Sequence, residues 1–127
     1  MGERSTFDLQ VESAGDEATV AVSGELDAYT APQLRKMLAE ILDGSVTRVV
    51  VDLAATSFID STGLGVLVGA ARKVRSQDGE LVLESPVRSV HRVLQITGLT
   101  LSIPVRNAPD DEIDSAPEAD PKDLTPA

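Results

Sequence analysis

The sequence contains no cysteine and no tryptophan, and only one histidine, one tyrosine and two phenylalanines among its 127 residues. The lack of cysteine excludes disulfides, thiolate catalysis and cysteine-ligated metal sites, and it is compatible with a reducing cytoplasm. With so few aromatic side chains, the chain has little with which to stack nucleic-acid bases. Its core must be built from valine, leucine, isoleucine and alanine, as is typical of small α/β domains.

Long apolar segments and positive charge are also scarce. No run reaches the length of a transmembrane helix, and no apolar segment follows a basic start as in a signal peptide. Lysine and arginine number 11 against 21 aspartate and glutamate, for a formal net charge of −10. Proteins that bind nucleic acid usually carry a basic surface that follows the phosphates. We therefore expect a cytoplasmic protein that binds neither a membrane nor nucleic acid directly.

Hydrophobic periodicity predicts one α/β domain in which strands and helices alternate. Two alternating runs flank Gly15 and predict a β-hairpin. The predicted elements are strands 7–13 and 18–23, helix 30–44, strand 48–53, a helix from residue 61, strand 80–84, helix 85–98 and a last strand or extended segment 99–105. Thr30 and Gln33 are placed to form a capping box at the first helix. The order β-β-α-β-α-β-α-β predicts a mixed sheet of four to five strands with helices packed on it.

The composition changes after Asn107. Residues 108–127 contain four prolines, seven acids and one lysine, with almost no large apolar residue. Such a segment buries too little surface to offset the entropy of ordering it. We therefore expect a folded domain over residues 1–107 and an acidic, proline-rich disordered tail over residues 108–127.

The stretch "DSTGLGVLVG" places an acid, two hydroxyls and three glycines at the start of the second helix. The Asp-Ser-Thr cluster at 60–62 supplies good N-cap residues. The glycines each cost about 1 kcal/mol against alanine in a helix. We interpret Gly65 and Gly69, one turn apart, as places where the helix packs closely on the sheet. Gly63 is interpreted as leaving the two hydroxyls accessible on a protruding turn, as a modification or docking site requires.

Enzymatic motifs are incomplete. A serine nucleophile elbow requires a glycine where Ile59 stands, and the sole histidine, His91, has no identified acid partner. The helix-start glycines resemble a dinucleotide fingerprint, but Val68 occupies its third glycine position and no Walker lysine follows. With one histidine and no cysteine, the usual mixed ligand set for a metal is missing. The sequence therefore predicts no catalytic, cofactor or metal site, although nucleotide binding at the helix start remains an alternative.

Three stretches together resemble a known family: "SGELDAYTAPQL" at Ser23–Leu34, "FIDSTGLGVLV" at Phe58–Val68 and "SVHRVLQITGL" at Ser89–Leu99. In order and spacing they are similar to the STAS-domain anti-sigma factor antagonists of bacteria. The resemblance spans residues 7–105 and implies a STAS-type fold and a small cytosolic switch protein that is not an enzyme.

The resemblance also implies roles for particular residues. The unphosphorylated protein would bind an anti-sigma factor that is also a serine kinase, and so free a sigma factor. The kinase would phosphorylate Ser61, which would end binding, and a serine phosphatase would reverse the modification. Asp27, Asp60, Thr62 and Gly63 would form the partner-binding face around that serine. The alternative for Asp27 is an ordinary loop acid before the first helix.

STAS domains also occur in larger assemblies, which leaves a second interpretation open. The chain would then be a subunit of a constitutive complex, a stress-sensing scaffold or a lipid-transport assembly, in which Ser61 is never modified. The acidic tail is not part of the family's core pattern, and we predict that it is dispensable for partner binding.

Overall fold

The structure is a computed structural model, and it describes residues 7–110. Within that range five strands and three helices follow one another in the order predicted from the sequence. The elements are β1 (Asp8–Ala14), β2 (Glu17–Leu26), α1 (Ala31–Leu42), β3 (Arg48–Ile59), α2 (Ser61–Ser76), β4 (Glu80–Glu84), α3 (Arg88–Ile96) and β5 (Val105–Arg106), with a 3₁₀ turn at Leu99–Leu101. The predicted tail lies outside the described residues from position 111 onward.

The strands form one mixed sheet in the order β1-β2-β3-β4-β5. The β1–β2 hairpin is antiparallel, and every later pair is parallel. The register places Val20 beside Val51 and Val51 beside Leu83, so apolar side chains line up across one face. Each parallel step is made through a helix, as connections between parallel strands require. The α/β prediction with a mixed sheet is confirmed.

One face of the sheet and the inner sides of all three helices form the core. The buried cluster includes Val20, Val22, Val49, Val51, Leu81 and Leu83 from the strands, Leu34 and Leu38 from α1, Leu67, Ala71 and Val74 from α2, and Val90 and Leu94 from α3. Burying one such valine or leucine side chain contributes about 1.5–3 kcal/mol. The positions of α1 and α2 over the sheet are therefore fixed by packing along their whole length.

Charged side chains extend from strand positions that alternate with the core residues. Arg48 lies 3.4 Å from a carboxylate oxygen of Glu17 and 3.7 Å from one of Glu80, and Arg106 lies 2.8 Å from one of Glu84. Such exposed pairs each contribute at most about 1 kcal/mol.

A search of residues 7–110 for membrane-spanning helices finds no helix with the length and hydropathy that a span requires.

Four elements have a boundary three or more residues from the sequence expectation. Strand β2 ends at Leu26 and not at residue 23. Strand β3 continues past Leu53 to Ile59, because the long β2 offers pairing partners up to Leu26. The expected strand 99–105 is mostly a 3₁₀ turn, and only Val105 and Arg106 pair with β4. Helix α3 begins at Arg88 and not at the expected Ser85, because Ser85 has a positive φ of 55° and Val87, the N-cap residue, has an extended backbone.

Candidate functional site

The first turn of α2 is capped by an aspartate. Asp60 has an extended backbone, and its Oδ1 accepts hydrogen bonds from the N–H groups of Thr62 at 2.9 Å and Gly63 at 3.1 Å. The free N–H groups of a helix start need such acceptors, and a carboxylate also interacts favourably with the positive end of the helix dipole. Asp60 is thus a structural cap, and Ser61 is the first helical residue.

The turn between β2 and α1 is held by a second aspartate. Asp27 Oδ1 accepts the N–H groups of Tyr29 and Thr30, both at 3.0 Å. The Thr30 hydroxyl accepts the N–H of Asp27 at 3.0 Å and donates to the carbonyl of Glu25 at 2.7 Å. These reciprocal bonds are those of a capping box shifted three residues towards the N-terminus. The expected box between Thr30 and Gln33 is wrong, because Thr30 already has helical backbone angles and its side chain makes no cap bond to α1.

Main-chain and side-chain bonds join the two turns. Leu26 and Ile59 are the last pair of the parallel β2–β3 ladder, so the chain leaves both strands side by side. The N–H of Asp60 donates to the carbonyl of Leu26 at 3.1 Å, and its Oδ2 accepts the N–H of Ala28 at 3.2 Å. We call residues 27–30 and 60–63 the paired-turn surface. The structure brings Asp27, Asp60, Ser61, Thr62 and Gly63 together on it.

The backbone N–H groups around Asp27 lower the pKa of its carboxyl below the usual value for aspartate. The hydrogen bond from the Thr30 N–H is the largest cause, and the Thr30 hydroxyl and the Tyr29 N–H act in the same direction. Partial desolvation opposes them. Hydrogen bonds to a carboxylate favour its charged form, so Asp27 stays negative over the ordinary range of pH.

The close approach of α2 to the sheet occurs at a different glycine from the two that were expected. A Cβ at Gly63 would lie 2.8 Å from Leu26 Cγ, 2.9 Å from the Leu26 carbonyl oxygen and 3.1 Å from Ile59 Cγ1. Gly65 and Gly69 have no atom within 4 Å of such a Cβ, and both are exposed. Gly63 is therefore the glycine that allows α2 to lie against the end of β2. The expected close approach at Gly65 and Gly69 is wrong, because these two residues face away from the sheet.

The hydroxyl-bearing residues lie on the outside of this arrangement. Ser61 and Thr62 are both exposed, and in residues 7–110 the hydroxyl of Ser61 makes no hydrogen bond. The N–H groups of Thr62 and Gly63 are already bonded to Asp60, and that of Leu64 bonds to the Asp60 carbonyl at 2.9 Å. Ser61 can thus be modified without breaking a bond that holds the turn.

Two exposed aromatic residues, Tyr29 within this surface and Phe58 shortly before it in the chain, were not predicted from the sequence. Tyr29 is 87% exposed beside the N–H groups that Asp27 binds, and Phe58 is 47% exposed three residues before Ser61. Aromatic side chains are enriched at the centres of protein interfaces. The sequence offered one signal for them: the chain has only three aromatic residues, and two of these lie within or shortly before the stretches that carry the candidate site.

The paired-turn surface has the chemistry of a docking surface. The described grooves lie elsewhere: one of about 200 Å³ between α1 and α2, and one of about 420 Å³ between β1 and α1. Among residues 7–110 no three His, Asp or Glu side chains converge as a metal ion would need. His91 is buried in α3 with Val90 and Leu94. The paired turns therefore offer an exposed hydroxyl, fixed negative charge and exposed aromatic area.

Comparisons with known proteins agree with the fold described above. The STAS domain family model matches residues 8–112. An anti-sigma-B factor antagonist of Listeria monocytogenes is 42% identical over 94 residues, which cover 72% of this chain and 81% of that protein. An anti-sigma factor antagonist from Mycobacterium paratuberculosis superimposes with a TM-score of 0.74 at 28% identity, covering 87% of this chain and 93% of that one. The Bacillus cell fate determinant SpoIIAA in its phosphorylated form gives 0.64 at 25% identity, covering 87% and 100%.

Proposed function

Because the chain belongs to the STAS-domain family of anti-sigma factor antagonists, we propose that its unphosphorylated form binds an anti-sigma factor with serine kinase activity and thereby releases a sigma factor. Phosphorylation of Ser61 ends this binding, and a serine phosphatase restores it. The observation that carries the proposal is the position of Ser61: an exposed hydroxyl, with no structural bond, on the first residue of a rigidly capped helix.

In the phosphoryl transfer this chain is the substrate. The Ser61 oxygen forms a bond to the γ-phosphorus of ATP, the bond from that phosphorus to the bridging oxygen breaks, and ADP leaves. The serine proton passes to a base of the kinase, which also holds the magnesium ions. The cap formed by Asp60 holds the Ser61 backbone in one position while the hydroxyl remains free to enter a kinase active site.

The charge of the new phosphate explains why binding would end. A phosphoserine adds about −1.5 to −2 charges at neutral pH. It would lie beside the Asp60 carboxylate, in a chain whose formal net charge is already −10. A partner covering the paired-turn surface would have to desolvate and oppose that charge. If this weakens binding by about 3 kcal/mol, the affinity falls about 150-fold.

The fold should tolerate the modification. The N-terminus of a helix attracts a phosphate, but Asp60 already occupies the N–H groups of Thr62 and Gly63. The attraction and the repulsion from Asp60 therefore oppose each other locally, and no hydrogen bond of the turn has to break. Phosphorylation should change partner binding much more than it changes the stability of the domain.

The other residues expected to form the partner-binding face take different parts in this proposal. Asp27 and Asp60 shape the two turns and give them negative charge, and Thr62 lies exposed next to the modified residue. Gly63 acts indirectly, because it is buried against Leu26 and sets the position of the helix start. Tyr29 and Phe58 supply apolar contact area to the partner.

The proposal is tested by capturing partners from a lysate with Ser61→Ala and Ser61→Glu proteins. The alanine protein should retain an ATP-binding serine kinase that the glutamate protein loses. Ser89→Glu is the matched control, since it places the same charge on an exposed serine in the first turn of another helix, α3. That variant should retain the kinase. With ATP, the captured kinase should add one phosphate to the unaltered chain and none to Ser61→Ala.

Equal retention of the same proteins by the alanine and glutamate variants would contradict the proposal. Ser61 would then be only the first residue of a capped helix, and the chain would fit a subunit of a constitutive complex better. Loss of the kinase by Ser89→Glu as well would mean that net charge, and not the paired-turn surface, controls binding.

A further inference from the structure

The helices carry charge of the opposite sign to the chain as a whole. Within their bounds α1, α2 and α3 contain seven basic residues and one acid. The basic residues are Arg35, Lys36, Arg72, Lys73, Arg75, Arg88 and Arg92, and the acid is Glu40. The helical layer is thus a basic surface on an acidic protein, and electrostatic complementarity predicts an acidic ligand for it.

The described chain ends at one particular place on that layer. After β5, Asn107 takes a positive φ of 53°, and its side-chain amide donates to Glu84 at 3.3 Å. The Arg88 guanidinium then donates to the carbonyl of Asp110 at 3.3 Å. Arg88 is the first residue of α3. The chain therefore leaves the described domain beside the N-terminal end of this helix.

The 17 residues that follow Asp110 carry net negative charge, opposite to that of the helical layer. Residues 111–127 contain six acids and one lysine. Their first three residues are Asp111, Glu112 and Ile113. In an extended chain, three residues beyond Asp110 span about 10 Å.

The outer side of α3 presents a matching order of groups. Arg88, Arg92 and Ile96 follow at intervals of four residues, which places them along one side of a helix. Arg92 is exposed, and Ile96 is 76% exposed although it is a large apolar residue. From Arg88 to Ile96 the helix rises about 12 Å. Starting from the bond between Arg88 and Asp110, a chain of this length can therefore bring residues 111 and 112 within reach of Arg92 and residue 113 within reach of Ile96.

We propose that the acidic C-terminal segment, residues 111–127, is an intramolecular ligand of the outer side of α3. Its first acids pair with Arg88 and Arg92, and Ile113 covers Ile96. Single ion pairs at a surface are weak and are screened by salt. The covalent tether compensates, because it holds the segment near α3 at an effective concentration in the millimolar range. The docked segment would exclude other acidic ligands from this part of the basic surface.

The contact can be measured with one spin label, since the chain has no cysteine of its own. A Ser115→Cys variant of the full chain is labelled, and the amide signals are compared before and after reduction of the label. Signals of residues 88–96 should lose intensity, whereas those of β1, at the far edge of the sheet from β5, should not. The loss should disappear in about 0.5 M NaCl, where charges are screened within about 4 Å.

Charge variants separate this contact from a general effect of the label. Arg92→Glu should abolish the loss, and Arg72→Glu, an equal charge change at an exposed position of α2, should not. Combining Arg92→Glu with Asp111→Lys and Glu112→Lys should restore it. The proposal would be overturned if the signals of α3 lost no intensity at low salt, or if Arg92→Glu showed the same loss as the unaltered sequence. So would a loss seen only when labelled and isotope-enriched molecules are mixed, because the ligand would then be a second copy.

Discussion

A methyl group added at Gly63 would meet the end of β2. Its carbon would lie 2.8 Å from Leu26 Cγ and 2.9 Å from the Leu26 carbonyl oxygen. That oxygen accepts the N–H of Asp60, so it cannot move without disturbing the joint between the two turns. Overpacking of this kind costs about 1–3 kcal/mol, and the better helix propensity of alanine offsets about 1 kcal/mol. Gly63→Ala should therefore lower the free energy of unfolding by about 1 kcal/mol.

Gly65→Ala and Gly69→Ala are matched controls, because they make the same chemical change in the same helix where there is open space. Each should raise the free energy of unfolding by up to about 1 kcal/mol. Thermal and urea unfolding, followed by circular dichroism, measure both effects. For a domain of this size 1 kcal/mol corresponds to about 4 °C in Tm. Gly63→Ala should thus melt below the unaltered protein, and the two controls at or above it.

A Gly63→Ala protein as stable as Gly65→Ala would contradict this prediction. The start of α2 would then be able to move away from β2 without cost, and Gly63 would have no packing role. Partner capture with the same three variants adds a second result. A control that keeps its stability but loses the partner would show that the partner covers the exposed side of α2.

Three further predictions concern the paired-turn surface. Asp60→Ala removes the acceptor for two N–H groups of α2 and should lower the free energy of unfolding, measured in urea, by about 1–2 kcal/mol. Asp60→Asn keeps an acceptor oxygen and should retain most of that free energy. Equal losses of stability in the two variants would contradict a capping role for Asp60. Because hydrogen bonds hold the pKa of Asp27 below its unfolded value, its contribution to stability is complete above the unfolded pKa and is lost as the pH falls through the folded one. Carbon-13 titration should place the carboxyl midpoint below that of ordinary aspartate, and Asp27→Asn should remove this part of the pH dependence; a midpoint at or above the ordinary value would exclude it. Tyr29→Ala should change the free energy of unfolding by less than about 0.5 kcal/mol, as exposed positions do, yet weaken partner capture; unchanged capture would remove Tyr29 from the interface.

Local pattern was sufficient for the order of elements, and insufficient for contacts between them. Apolar alternation and helical spacing placed the hairpin and α1 correctly, because each signal lies within one element. The extension of β3 to Ile59 depends on its neighbour β2, and the short β5 depends on β4. No property of β3 or β5 alone shows where a partner strand ends.

The site could be predicted in the same partial way. The resemblance placed Asp27 and Asp60 on one face, and the hydrogen bond from Ala28 to Asp60 gives the physical reason for their closeness. The close approach was expected at Gly65 and Gly69 and occurs at Gly63, since a sequence contains glycines but not the atoms that approach them. Tyr29 was missed because nothing local distinguishes an exposed aromatic side chain from a buried one.

The arrangement separates what holds the site from what would switch it. The cap of α2 is formed by Asp60, and the capping box is formed by Asp27 and Thr30. The joint between the turns is formed by Asp60 and backbone groups. The Ser61 hydroxyl takes part in none of these bonds. A change of charge at Ser61 therefore tests binding with the fold unchanged, whereas a change at Asp60 alters both the partner surface and the start of α2. Any loss of partner binding in an Asp60 variant must accordingly be measured together with its stability before it is attributed to a lost contact.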